Sequence, residues 1–293
     1  MRHIIPISGK DSLATALVQK ELNPKLNYEY IFNTTGFELP EVLAWIDKVE
    51  IFLGQDIIKI GANLKEIISI KYNFYLPSQN SRYCTKEAKI TPFLEWLGKQ
   101  DAIVYYGIRA DENRIGFNNK HNQNIKPKYP LVEFGFGINQ VYQIINHANL
   151  KPPIFFWEEM YFLVKNKIGF DPKLILNEYQ FDMIFSWRSR ANCYLCFNQR
   201  YYEWVGLLEH YPELFWESEE YEHKGSNGIF TWNSNQKSLK QIFDERVNIK
   251  NKRALEITKM ILKAQQLKIF ELTNEDDFFD ILSIKSCGLF CGK

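Results

Sequence analysis

Residues that could do chemistry gather first at Ser8-Gly9-Lys10-Asp11-Ser12, directly after a short apolar run, Ile4, Ile5 and Ile7. A segment with Leu13, Ala16 and Leu17 on one helical face follows. Strand, tight turn and helix N-terminus together hold anions, because free backbone N–H groups and the positive end of the helix dipole converge there. Gly9 lets the backbone approach a phosphate closely, Lys10 adds a positive charge, Ser12 adds a hydroxyl donor, and Asp11 can act as the N-cap. The second chemical group is cysteine. Cys193 and Cys196 form a C-x-x-C pair, Cys287 and Cys291 a C-x-x-x-C pair, and Cys84 stands alone. Two close pairs fit a four-thiolate site for zinc or an iron–sulfur cluster.

Elements that must position these residues can be traced along the first half. Tyr28–Asn33 reads as a second strand, and Pro40 and Glu41 open a helix with Val42, Leu43, Ile46, Val49, Phe52 and Leu53 at helical spacing. Gln55–Ile60 and Asp101–Gly107 are further strand candidates, the latter after the amphipathic segment Lys86–Gly98. Alternation of this kind predicts an α/β fold with a doubly wound, mainly parallel sheet. Ligands then sit at the carboxyl ends of the strands, where Ser8–Ser12, Thr34–Glu38 and Gly107–Arg109 all fall. Two domains are expected, a nucleotide-binding one over 1–150 and a mostly helical, cysteine-containing region over 151–293.

Ser8–Ser12 resembles the PP-loop of the ATP-pyrophosphatase superfamily, usually Ser-Gly-Gly-x-Asp-Ser, with one glycine before Lys10. Thr35-Gly36-Phe37-Glu38-Leu39-Pro40-Glu41, Arg82-Tyr-Cys84-Thr85 with Lys89 and Pro92, and Gly107-Ile-Arg109-Ala-Asp111-Glu112-Asn-Arg114 are similar to further motifs of its phosphoadenosine-phosphosulfate (PAPS) reductase-like family, which includes DNA phosphorothioation enzymes. The resemblance implies an adenine nucleotide held by Ser8, Gly9, Lys10, Asp11, Ser12, Thr35, Gly36, Glu38, Arg82 and Arg114, with Cys84, Lys89 and Arg109 at the reacting centre. It implies a PP-loop ATP pyrophosphatase or sulfurtransferase acting on ATP, with Mg²⁺, or on a sulfonucleotide. Partners would be a sulfur donor or thioredoxin-like reductant, and nucleic acid is one conceivable acceptor. A thiol-dependent sulfonucleotide reductase is the alternative, since Ser286-Cys287-Gly288-Leu289-Phe290 resembles the reductase tail without its glutamate and histidine. A non-catalytic nucleotide-binding subunit of a modification or defence complex is the second alternative.

Two cysteine arrangements follow. In the favoured one Cys193, Cys196, Cys287 and Cys291 hold a [4Fe–4S] cluster or zinc, and Cys84 is a thiol near the nucleotide. In the other, on the pattern of adenylylsulfate reductases, Cys84 joins Cys193, Cys196 and one tail cysteine.

A net charge of +1 gives no support for a nucleic-acid or membrane surface, and no apolar run is long enough to span a bilayer. The N-terminus does not read as a signal peptide, so a cytoplasmic protein is expected, in which five cysteines serve metal binding or catalysis rather than disulfides. Aromatic residues concentrated after 150 predict a packed second region. There Tyr201–His210 reads as a helix with Trp204, Leu207 and Leu208 inward, and His210 and His223 as ordinary polar residues.

Overall fold

The computed structural model describes residues 1–113, 116, 122–188, 193–225, 230–232 and 237–269. The chain divides into two compact units, one built on Met1–Pro153 and one on Ile154–Ser189 with Leu195–Lys285.

The first unit is an α/β layer structure. Its strands are β1 (Arg2–Pro6), β2 (Tyr28–Thr34), β3 (Ile57–Gly61), β4 (Ala102–Tyr105) and β5 (Ile125–Lys128), in the order β3-β2-β1-β4-β5. Every pairing is parallel, with His3 opposite Tyr28 on one side of β1 and opposite Ile103 on the other. Parallel neighbours need crossover connections, and α1 (Lys10–Leu22) and α2 (Pro40–Leu53) supply the first two. Ile4, Ile5 and Ile7 are all fully buried, the continuous apolar signature of a central strand covered on both faces. Along α2 the buried positions are Val42, Trp45, Ile46, Val49 and Leu53, while Leu43 and Phe52 of the apolar pattern lie outside.

Helix α1 starts differently from expectation. Gly9 is its N-cap, and Asp11 lies inside the first turn. The capping oxygen comes from Ser12, whose Oγ accepts the Gly9 N–H at 3.1 Å and the Ser8 N–H at 2.8 Å. Strand β5 has no counterpart in the sequence reading. Its four residues include Pro127, which lacks an N–H and suits an edge position.

The second unit is helical: Glu158–Ile168, Glu178–Ile184, Tyr201–His210, Pro212–His223 and Leu239–Ile269. Trp157, Trp187, Trp204, Phe215 and Trp232 are almost completely buried in it, which accounts for the aromatic excess. Trp204 and Leu207 face inward and Leu208 is half-buried. Gly206 is required in mid-helix, since a Cβ there would come within 2.5 Å of the Trp187 side chain. No described helix is long and apolar enough to cross a membrane.

Candidate functional site

Strand order reverses direction at β1, with β2 on one side and β4 on the other, so the crevice of a doubly wound sheet opens between the β1 and β4 carboxyl ends. The turn Ser8–Ser12 and the segment Gly107–Glu112 leave those two ends. Gly107 packs against the first turn of α1. A Cβ at this position would lie 2.5 Å from the Ser12 nitrogen and 2.6 Å from the Asp11 carbonyl carbon. Both are backbone atoms and cannot swing aside, so only glycine permits the approach.

That approach brings Arg109 to Asp11. The Arg109 Nη1 donates to Asp11 Oδ1 at 3.1 Å, and its Nε donates to Asp111 Oδ1 at 2.8 Å. Glu112 Oε1 lies 3.5 Å from the same Nη1. Asp11 also accepts from Lys10 Nζ at 2.9 Å. Burial pushes the Asp11 carboxyl up, but Lys10 and Arg109 outweigh it and hold it below the ordinary carboxylate value. Burial works against the Arg109 charge, while Asp11, Glu112 and Asp111 favour it more strongly. Both groups therefore stay ionised, in a cluster of three carboxylates and two cations.

Two sets of donors remain for a ligand. Arg109 Nη2 makes no hydrogen bond among the described residues. The amides of Lys10 and Asp11, at the start of the thirteen-residue α1, likewise have no partner there. Around Gly9 the space a side chain would fill is open to 4 Å. An anion can thus approach an N–H pair, a guanidinium corner and the positive end of a helix. Ser8 and Gly9, by contrast, have their amides engaged by Ser12.

The β2–α2 turn is organised by Glu38. Its carboxylate accepts the Thr35 N–H at 2.8 Å, the Gly36 N–H at 3.0 Å, the Thr35 hydroxyl at 2.6 Å and the Thr34 hydroxyl at 3.1 Å. Glu38 therefore shapes the loop, and Gly36 takes the left-handed conformation (φ +81°) the turn needs. Thr35, almost fully buried, also sits 3.0 Å from Cys193 Sγ. The Tyr194 N–H binds the Phe37 carbonyl at 2.8 Å, so Cys193 and Tyr194 lie against this turn.

Arg82 precedes a helical run made of Tyr83–Thr85, a widened π turn Lys86–Ile90, and Thr91–Leu97. Tyr83 is buried, stacks on Tyr72 with ring centres 3.6 Å apart, and donates its hydroxyl to the Tyr75 carbonyl. This fixes the turn that carries Cys84. The run is tied to the carboxyl ends of β2 and β3 by Asn33 Nδ2 donating to the Lys89 carbonyl at 3.3 Å and the Ala62 N–H donating to the Ala88 carbonyl at 3.2 Å. Cys84, Cys193 and Cys196 form no disulfide among the described residues. Arg114, Cys287 and Cys291 lie outside the described residues. Among the described residues no cluster of three or more His, Cys, Asp or Glu is placed to hold a metal ion. His210 stacks on Trp187 and His223 pairs with Glu219, as ordinary polar residues do.

The structure therefore joins Asp11 to Arg109 and Thr35 to Cys193, and puts the Arg82–Lys89 segment along the same sheet edge. The sequence reading missed two partners, Asp111 and Glu112 as holders of Arg109. Acidic residues two and three places after an arginine were the available signal.

No curated protein matches the chain. Residues 2–160, more than half the chain, match the family model described as phosphoadenosine phosphosulfate reductase domain, and the chain belongs to that family.

Proposed function

We propose that the protein binds ATP or a sulfonucleotide at the β1–α1 turn and works in adenylation-linked sulfur transfer. One observation carries this reading: the Lys10 and Asp11 amides and the Arg109 Nη2 corner, beside the β1–β4 switch point, have no hydrogen-bond partner among the described residues. Phosphate oxygens satisfy such donors, and the family is one of sulfonucleotide chemistry. In this reading ATP is attacked at its α-phosphorus by an acceptor oxygen. Pyrophosphate leaves, and a sulfur nucleophile then displaces AMP from the adenylated acceptor. Lys10 and Arg109 would balance charge on the departing pyrophosphate, with Mg²⁺ accompanying the nucleotide. Nucleic acid is the acceptor we would test first.

The second reading is reduction of a sulfonucleotide. It draws support from the tail Ser286-Cys287-Gly288-Leu289-Phe290, which is similar to that of the reductases; Cys287 is then the attacking thiol and not a metal ligand. A thiolate would attack the sulfonate sulfur and release the adenosine phosphate. A second thiol would then free sulfite and leave a disulfide for a thioredoxin-like reductant to open. We further propose that Cys193 and Cys196, with Cys287 and Cys291, hold a [4Fe–4S] cluster or zinc, and that Cys84 stays free of it. The two described members are three residues apart, as ligand pairs are.

Purified protein incubated with ATP, Mg²⁺ and nucleic acid, with adenylylsulfate and with PAPS separates the readings. Pyrophosphate release supports adenylation, thiol-dependent sulfite release supports the reductase, and binding without turnover supports a nucleotide-binding subunit. Absence of any binding would sink all three.

A further inference from the structure

The geometry points to Asp111 as the residue that positions Arg109, fixing the guanidinium so that its Nη2 corner alone is offered to a phosphate. This rests on the nucleotide reading above and adds a role that the reading does not contain. A guanidinium has five N–H donors on three nitrogens. Asp111 Oδ1 takes the Nε edge at 2.8 Å, and Asp11 Oδ1 takes Nη1 at 3.1 Å. Two of its three nitrogens are held by carboxylates from different segments, which restricts rotation of the plane.

Asp111 is itself held. Its Oδ2 accepts the N–H of Ile138, the first residue of the ten-residue helix Ile138–His147, at 2.9 Å. The positive end of that helix favours a carboxylate. The site of a Cβ on Gly137 would be 3.2 Å from the same oxygen, so the backbone there closes on Asp111. One residue earlier, the Ala110 N–H donates to the Phe136 carbonyl at 3.0 Å. Asp111 thereby transmits the rigidity of a helix start to a long side chain that would otherwise lose rotamer freedom on meeting a ligand. Prior fixing of that freedom is what makes a charged contact effective.

A plain capping role for Asp111 would stabilise the helix Ile138–His147 without acting through Arg109, and a mutant cycle separates the two. ATP and adenosine are titrated calorimetrically into wild type, Asp111→Ala, Arg109→Ala and the double variant. Asp111→Ala is expected to weaken ATP about tenfold, the worth of one charge-assisted hydrogen bond, and to leave adenosine unchanged. In the Arg109→Ala background the same substitution should have no further effect. An equal loss in both backgrounds, or an equal loss for adenosine, overturns the assignment. Should Asp111→Ala fail to fold, Asp111→Asn, which keeps an acceptor for the Ile138 amide, replaces it in the cycle. Wild type that takes none of ATP, adenylylsulfate or PAPS removes the nucleotide reading together with this one. Wild type that binds while the cycle is additive removes this one alone.

Discussion

Asp11 and Glu222 are both buried carboxylates near a helix end, one opening α1 in the first unit and one closing Pro212–His223 in the second. Their surroundings push them in opposite directions. Asp11 meets two cations, Lys10 and Arg109, and is held below the ordinary carboxylate value despite burial. Glu222 meets backbone amides: Trp232 N–H at 3.0 Å and Leu239 N–H at 2.7 Å. Burial is the largest influence on it and wins over those two bonds, so its pKa is pushed up from 4.5 to about 7. The first arrangement keeps fixed charges at a solvent-reachable edge, where an anion can use them. The second uses a carboxyl group as an internal fastener for the segment that follows the helix. Counter-charge, rather than burial, separates a group suited to ligand chemistry from one suited to structure.

The largest way to break the contrast is Arg109→Ala. It leaves Asp11 buried with Lys10 as its sole described counter-charge and takes one cation from Glu112, whose side chain is 11% exposed. Removing one partner of a buried ion pair costs about 4 kcal/mol, measured as a loss of unfolding free energy in urea at neutral pH. The sign with pH follows from the lowered Asp11 pKa. Its stabilisation is present above the ordinary carboxylate range and disappears as pH falls through the folded value. The gap between wild type and variant should therefore narrow in acid, where a protonated Asp11 needs no counter-charge. A gap constant from neutral pH into acid would show that Asp11 does not depend on Arg109.

Glu222→Gln tests the other side. A carboxyl raised in the folded state takes up a proton on folding, so its stability contribution is full below 4.5 and is lost as pH rises to about 7. The loss across that window is at most about 3 kcal/mol, given one pKa unit per 1.36 kcal/mol. The amide variant cannot titrate, and its melting temperature should be flatter between those two pH values. A wild-type profile already flat there would mean that Glu222 keeps its charge when buried.

How much of this was legible differs between the units for a physical reason. The sheet edge was readable because the turns that leave its strands are specified by residues in immediate sequence, Ser8–Ser12 and Gly107–Arg109. The same locality hid the roles of Ser12 and Asp11, since which of two adjacent side chains caps a helix depends on where Arg109 arrives from, ninety-eight residues away. Strand β5 was invisible because four residues containing Pro127 and two lysines lack both alternation and an apolar run. In the second unit, Glu222 and the Gly206–Trp187 contact follow from packing between helices, for which no spacing rule exists. The inward face of Tyr201–His210 was readable, since one helix carries its own period.

Glu38→Ala asks whether a carboxylate at the first unit's edge can instead be a fastener like Glu222. Glu38 accepts two backbone amides and two hydroxyls of its own turn. Its removal should cost about 2 kcal/mol, chiefly the penalty of leaving the amide and hydroxyl of the buried Thr35 without an acceptor. Glu38→Gln should recover part of this, because one amide oxygen can serve part of the same set. Full stability in Glu38→Ala would show that the turn does not depend on this carboxylate as a fastener.

The smallest effect calibrates the others. Lys59 pairs with Asp47 at 3.4 Å, with side chains 52% and 59% exposed. Water screens such a pair and ordering two long side chains opposes it, so Lys59→Ala should change stability by less than about 0.5 kcal/mol. It removes the same ionic partner type as Arg109→Ala does, from the same unit, without burial. A loss approaching that of Arg109→Ala would mean that net charge, and not the enclosure of Asp11, produces the larger effect, and the contrast with Glu222 would then fail at its premise.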